Sequence, residues 1–286
     1  MTEQAVLEFR PLGEASPLAY TRAMKTLPSP LVVGNWKMHG LLRSLSEAEA
    51  VAGALKADPT PVRVVICPPA TLIDRMRRAL AGSPVEVGAQ DLHAEAAGAY
   101  TGDVCAEMLV DAGARAVIIG HSERRNAYRE TDAIVAAKVT AACRAGLSPI
   151  VCVGESLEQR CAGLAETAVA AQSAESLPED LAGQAFAVAY EPVWAIGSGR
   201  TPTVREIEEV HRAIRAALTG RFGEAGASAP ILYGGSVTPD NAGTILRAEE
   251  VGGVLVGGAS LKAESFLAII RAAGDAAERR RLTTAL

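Results

Sequence analysis

From residue 31 onward, short apolar runs rich in β-branched residues recur along the chain, at 31–34, 62–67, 85–89, 116–120, 149–153, 186–190, 231–233 and 254–256. Several are apolar at successive positions rather than at alternate ones, the pattern of strands buried on both faces in a parallel sheet. Between the runs lie amphipathic segments with helix-start signals. Ser46 to Glu49, Ser156 to Gln159 and Thr203 to Glu206 each match a capping box, and Thr238-Pro239 supplies an N-cap with proline at the first helical position. After Thr203, the residues Val204, Ile207, Val210, Ile214 and Leu218 fall at helical spacing and predict one buried stripe.

Eight strand candidates, nearly all separated by a helix over roughly 250 residues, predict an α/β chain folded as one (β/α)8 barrel. An open doubly wound sheet is the competitor. The first strand, however, runs into GNWKM rather than a GxGxxG turn, and no GxxxxGK[ST] phosphate loop occurs. Residues 1–30 break the strand–helix pattern: they carry Pro11, Pro17, Pro28 and Pro30, mixed charge and no sustained period. We expect an N-terminal extension there, with the composition of a disordered segment, and a barrel domain over 31–286. The extension lacks the apolar centre of a signal peptide, and Glu3, Glu8 and Glu14 do not suit a transit peptide.

Composition narrows the function classes. Of 286 residues, 49% are hydrophobic and 21% charged, ample for a large core. A net charge of -5 gives no footprint for nucleic acid or an anionic membrane surface, so an anionic ligand must be held by a local site. No apolar run approaches the roughly 18 to 20 residues that span a bilayer. Cys67, Cys105, Cys143, Cys152 and Cys161 form no CxxC pair and have no ligand-spaced histidines. A reduced, cytoplasmic protein with neither disulfide framework nor metal site is expected.

In a barrel of this kind the chemistry sits where the strands end. Asn35 and Lys37 follow the first strand and His121-Ser-Glu123 the fourth. Cys152 ends the fifth, Glu191 the sixth, Tyr233-Gly-Gly-Ser236 the seventh, and Gly257-Gly258 the eighth. Singly, each has an ordinary reading: a solvated lysine, a structural histidine, a small buried cysteine, glycines at turns. Together they supply what proton transfer on a small phosphate ester needs. Glu191, at a strand tip before Pro192 and a Gly-Ser-Gly segment, suits a general base under a hinged lid. The glycine pairs let backbone N–H groups approach a phosphate closely, with Gly197 of the lid adding another. Lys37 supplies a fixed positive charge.

GNWKM at 34–38, GHSERR at 120–125, AYEPVWAIGSG at 189–199, YGGSV at 233–237 and VGGASLKA at 256–263 stand in the order of the triosephosphate isomerase family, which the chain resembles from residue 31 to its end. The resemblance implies a TIM barrel that interconverts dihydroxyacetone phosphate and D-glyceraldehyde 3-phosphate through an enediol(ate), without cofactor or metal, in glycolysis and gluconeogenesis. It implies Glu191 as the base, with His121 as a neutral electrophile. This family is itself the standard example of an imidazole kept uncharged at a helix N-terminus. Lys37 and Asn35 would stabilise and position substrate oxygens, Glu123 would orient Lys37, and Cys152 would pack beside the base. Tyr233 and Ser236 would latch the lid, whose hinges would be 192–194 and 200–202. Gly197, Ser236, Gly257 and Gly258 would bind phosphate. Tyr100 and Thr101, in the loop after the third strand, would enter a second subunit of a homodimer.

The chain departs from the family's pattern at Asp103, Ser198, Pro202 and Gly252, outside the catalytic set. Two other readings compete: the same chemistry on a phosphorylated tetrulose, and a phosphosugar-binding barrel without catalysis.

Overall fold

Side-chain alternation within eight short strands decides what fills this molecule and what coats it. The computed structural model describes residues 29–196 and 200–284. The strands are β1 Leu31–Asn35, β2 Arg63–Cys67, β3 Val85–Ala89, β4 Ala116–Ile119, β5 Ser148–Val153, β6 Ala187–Tyr190, β7 Ile231–Tyr233 and β8 Gly253–Val256. Each pairs in parallel with the next, and β8 pairs with β1 to close the barrel. Every predicted strand is present, with ends moved by a residue or so. The fourth stops at Ile119 because Gly120, at φ +68°, turns the chain out of the sheet.

Leu31, Val33, Val65, Cys67, Ala116, Ile118, Ile150, Cys152, Ala187, Ala189, Leu232 and Leu255 form one buried cluster inside the barrel. Their strand neighbours Val32, Val64, Ile66, Val117, Val151, Val188 and Val254 belong to the larger cluster under the helices. Both faces are therefore apolar, which accounts for the unbroken hydrophobic runs. Small residues suit the crowded interior: a Cβ on Gly88 would come 2.6 Å from Cys67 Sγ.

The surrounding helices are α1 Leu45–Ala57, α2 Ile73–Ala79, α3 Ala106–Asp111, α4 Ser122–Tyr128, α5 Asp132–Ala145, α6 Leu157–Cys161, α7 Ala165–Ser176, α8 Val204–Phe222, α9 Glu224–Ser228, α10 Pro239–Ile245 and α11 Ala263–Thr284. The capping boxes at Ser156 and Thr203 form, and Pro239 opens α10. The one expected at Ser46 does not. α1 already begins at Leu45, so Ser46 lies inside it and its hydroxyl donates to Arg43 O. The α8 stripe is buried from Ile207 to Leu218, but Val204, in the first turn, stands exposed. No described helix is long and apolar enough to cross a membrane.

Candidate active site at the C-terminal mouth of the barrel

The inward alternation leads from Leu31 and Val33 to Asn35, the last residue of β1, and from Ala187 and Ala189 to Glu191, one residue past β6. Both are buried polar groups at the barrel mouth. With Lys37 and His121 they line a cavity of about 280 Å³, walled also by Ile196, Leu255 and the loops holding Gly234–Ser236 and Gly257–Gly258. A larger cavity of about 390 Å³ opens among the strand starts, near Leu31, Arg63 and Phe186. That is the end of such barrels associated with stability rather than chemistry.

His121 is the N-cap of α4, and its Nδ1 accepts a hydrogen bond from the Glu123 N–H at 3.2 Å. With Nδ1 in the accepting role, Nε2 is the ring nitrogen left to donate. Nε2 lies 2.9 Å from Glu191 Oε1. This is a close approach rather than an aligned bond, because Oε1 makes no hydrogen bond among the described residues. The other oxygen, Oε2, accepts from the Ser122 N–H at 2.8 Å. Glu191 thus has one tethered oxygen and one free to take a proton.

The strand-end glycines make room for this arrangement. A Cβ at Gly154 would overlap the Glu191 carbonyl oxygen, and one at Gly234 would come 3.1 Å from Glu191 Cγ. Cys152 is fully buried; burial first, then the adjacent Glu191 charge, pushes its thiol well above the usual range, so it packs beside the carboxylate as a neutral group.

Lys37 Nζ donates to Glu123 Oε1 at 2.6 Å. Partial burial raises the Glu123 carboxyl's affinity for a proton, but the Lys37 hydrogen bond and the neighbouring charges outweigh it and hold its pKa below the ordinary value. The Lys37 stem passes Gly257, where a Cβ would meet Cε at 3.5 Å, so the ammonium shares the mouth with the glycine loops. The Tyr233 hydroxyl is buried against Gly235 and has no hydrogen-bond partner among the described residues. Ser236 is exposed at the rim. Gly197 lies outside the described residues. Tyr100, 46% exposed, packs its ring on His93 with centroids 3.9 Å apart, Thr101 is exposed beside it, and neither lines the cavity.

Three contributors escaped the reading of the sequence. Ser122 supplies the amide that tethers the base. Gln90, after β3, donates to the carbonyls of Lys37 and Cys67, both at 2.9 Å. Glu155 is wholly buried below the segment after β6. Its Oε1 accepts from Trp194 Nε1 at 2.7 Å, Tyr190 Oη at 3.0 Å and Arg160 at 2.6 Å. Among the described residues no group of histidines, cysteines and carboxylates is placed to hold a metal ion.

The chain matches the family model described as Triosephosphate isomerase over residues 30–273. It is 60% identical over 247 residues to a triosephosphate isomerase of Caulobacter vibrioides, covering 86% of this chain and 98% of the relative. A triosephosphate isomerase of Hyphomonas neptunium is 53% identical over 249 residues, covering 87% of this chain and 100% of the relative. A crystal structure of triosephosphate isomerase from Bartonella henselae superposes with a TM-score of 0.80 at 45% identity, covering 85% of this chain and 98% of that one. A closed eight-stranded barrel, an imidazole 2.9 Å from a buried carboxylate at its mouth and these relatives converge: the chain belongs to the triosephosphate isomerase family.

Proposed function

We propose that in the interconversion of dihydroxyacetone phosphate and D-glyceraldehyde 3-phosphate, the activity that goes with this family, Glu191 carries the proton between the two carbons. Its free Oε1 removes a proton from C1 of dihydroxyacetone phosphate and returns it to C2. His121 Nε2–H protonates the C2 oxygen as negative charge gathers there, and the ring takes a proton back from the C1 oxygen. The Lys37 ammonium and Asn35 stabilise the enediolate oxygens. Backbone N–H groups around Ser236, Gly257 and Gly258 receive the phosphate. The observation that carries this reading is the pairing of His121 Nε2 with the unbonded Glu191 oxygen at 2.9 Å.

Turnover of purified protein with D-glyceraldehyde 3-phosphate, run beside a phosphorylated tetrulose, tests it. A fast reaction with the triose is expected; preference for the tetrulose would reassign the substrate. The protein works in the cytoplasm as a homodimer, on this reading, with Tyr100 and Thr101 placed against a second subunit. Light scattering at successive dilutions should give twice the 29.6 kDa chain mass, and a monomer that remains fully active would remove the dimer from the account.

A further inference from the structure

Lys37 is one of three non-glycine residues with a left-handed backbone among the described residues, at φ +51°. An L-residue keeps that conformation only where its surroundings hold it. Three contacts do so here. The Lys37 N–H donates to Asn35 Oδ1 at 3.0 Å, its ammonium donates to Glu123, and its carbonyl accepts from Gln90 Nε2 at 2.9 Å.

The same Gln90 nitrogen gives its second hydrogen to the carbonyl of Cys67, the last residue of β2, at 2.9 Å. That carbonyl also accepts from the Trp36 N–H at 3.1 Å, the final rung between the first two strands. One residue later the turn at Lys37 carries its carbonyl out of the ladder. Gln90 replaces the donor the sheet no longer provides.

The clamp has a firm base. Asp91, next to Gln90, is held by Lys138 at 2.6 Å and by Arg124 at 2.7 Å. Arg124 lies on α4, the helix that His121 caps and that carries Glu123. The main chain and the ammonium of Lys37 are therefore both referenced to the helix that holds the electrophile.

We propose that Gln90 is a positioning residue for the isomerisation: its carboxamide, bridging the carbonyls of Lys37 and Cys67, sets the turn that delivers the Lys37 ammonium to the substrate. The proposal rests on the role given to Lys37 above. The chemistry is selective, because a primary amide offers two hydrogens from one nitrogen. Glutamate is the same length but, ionised, has none. Asparagine keeps both hydrogens on an arm one methylene shorter.

The test measures kcat and KM for D-glyceraldehyde 3-phosphate, and Ki for 2-phosphoglycolate, between pH 5.5 and 9. The proteins are wild type, Gln90→Glu, Gln90→Asn, Lys37→Ala and the Lys37→Ala, Gln90→Glu double variant. A misaimed ammonium binds both substrate and transition state less well. At pH 8, Gln90→Glu should therefore raise KM and Ki and lower kcat/KM by roughly 10²-fold. The deficit relative to wild type should shrink as pH falls and the new carboxyl regains a hydrogen to donate. Gln90→Asn should lie between the two, and it supplies the reading if Gln90→Glu fails to fold. In the Lys37→Ala background Gln90→Glu should not weaken 2-phosphoglycolate further. Loss of activity in Lys37→Ala together with wild-type KM and Ki in Gln90→Glu at every pH would overturn the Gln90 proposal alone. Wild-type turnover in Lys37→Ala would overturn the reading of the whole mouth, and this proposal with it.

Discussion

Two oxygens of one carboxylate divide the work at the residue scale. Glu191 Oε2 is tied to the Ser122 amide, and Oε1 is left beside His121. Glu191→Asp keeps the charge but withdraws it by about one methylene from any carbon it must reach. We expect kcat to fall by roughly 10²- to 10³-fold with KM within a few-fold of wild type, read from steady-state kinetics; undiminished kcat would remove Glu191 from the proton path. Asn35, Lys37, His121 and Glu191 were legible in the sequence because each interrupts or ends an apolar run, where a polar side chain is conspicuous. Gln90 and Glu155 were not. Gln90 is an unremarkable polar residue after a strand, and its partners, Lys37 and Cys67, are distant in sequence. Glu155 reads as a loop acid until folding surrounds it with Arg160, Tyr190 and Trp194.

At the scale of elements, the ends of β5 and β6 are joined through two adjacent residues. Gly154 passes under the Glu191 backbone with no room for a Cβ, and Glu155 gathers α6, β6 and the segment after it onto one oxygen. Glu155→Ala leaves the Arg160 guanidinium, 16% exposed, without its carboxylate. Breaking a buried pair from one side costs about 3 kcal/mol or more. Denaturant titration should show a loss of that size, accompanied by a shift in Trp194 fluorescence as its indole N–H loses its partner; an unchanged midpoint would mean the cluster adds nothing to stability. Strand positions were readable because sheet periodicity is local. The start of α1 was not, since Ser46-Glu-Ala-Glu fits a cap by type while the helix already begins at Leu45 and Glu47 turns to Lys262 and the Ala263 N–H. A motif states what a segment can do; the neighbouring turns decide whether it does.

For the whole molecule, a buried histidine is one group that makes stability fall toward acid pH. His211, on α8, packs edge-on against Tyr190 and is completely buried. Its Nδ1 lies 3.3 Å from the Glu250 carbonyl, and Nε2 has no partner among the described residues. Burial lowers its pKa from 6.5 to about 4, the Glu250 contact opposing and the Arg215 charge assisting. The neutral ring's contribution is therefore complete above pH 6.5 and drains away as pH falls from 6.5 toward 4. Below that the folded protein binds the proton too, and nothing more is lost from this group. A shift of this size corresponds to about 3 kcal/mol. Thermal melts should show Tm declining across that window in the wild type with a flatter slope in His211→Gln; parallel slopes would exclude His211 as the cause. The closed ring of strands has a further consequence for synthesis on the ribosome. Leu31–Asn35 is the first of the eight strands to emerge yet shares an edge with Gly253–Val256, the last of them. A nascent chain must hold an apolar strand with one side unsatisfied until all seven other strands have been made. Chains interrupted before residue 253 should therefore be sticky, chaperone-dependent species, and ring closure can come only after the eighth strand has been made.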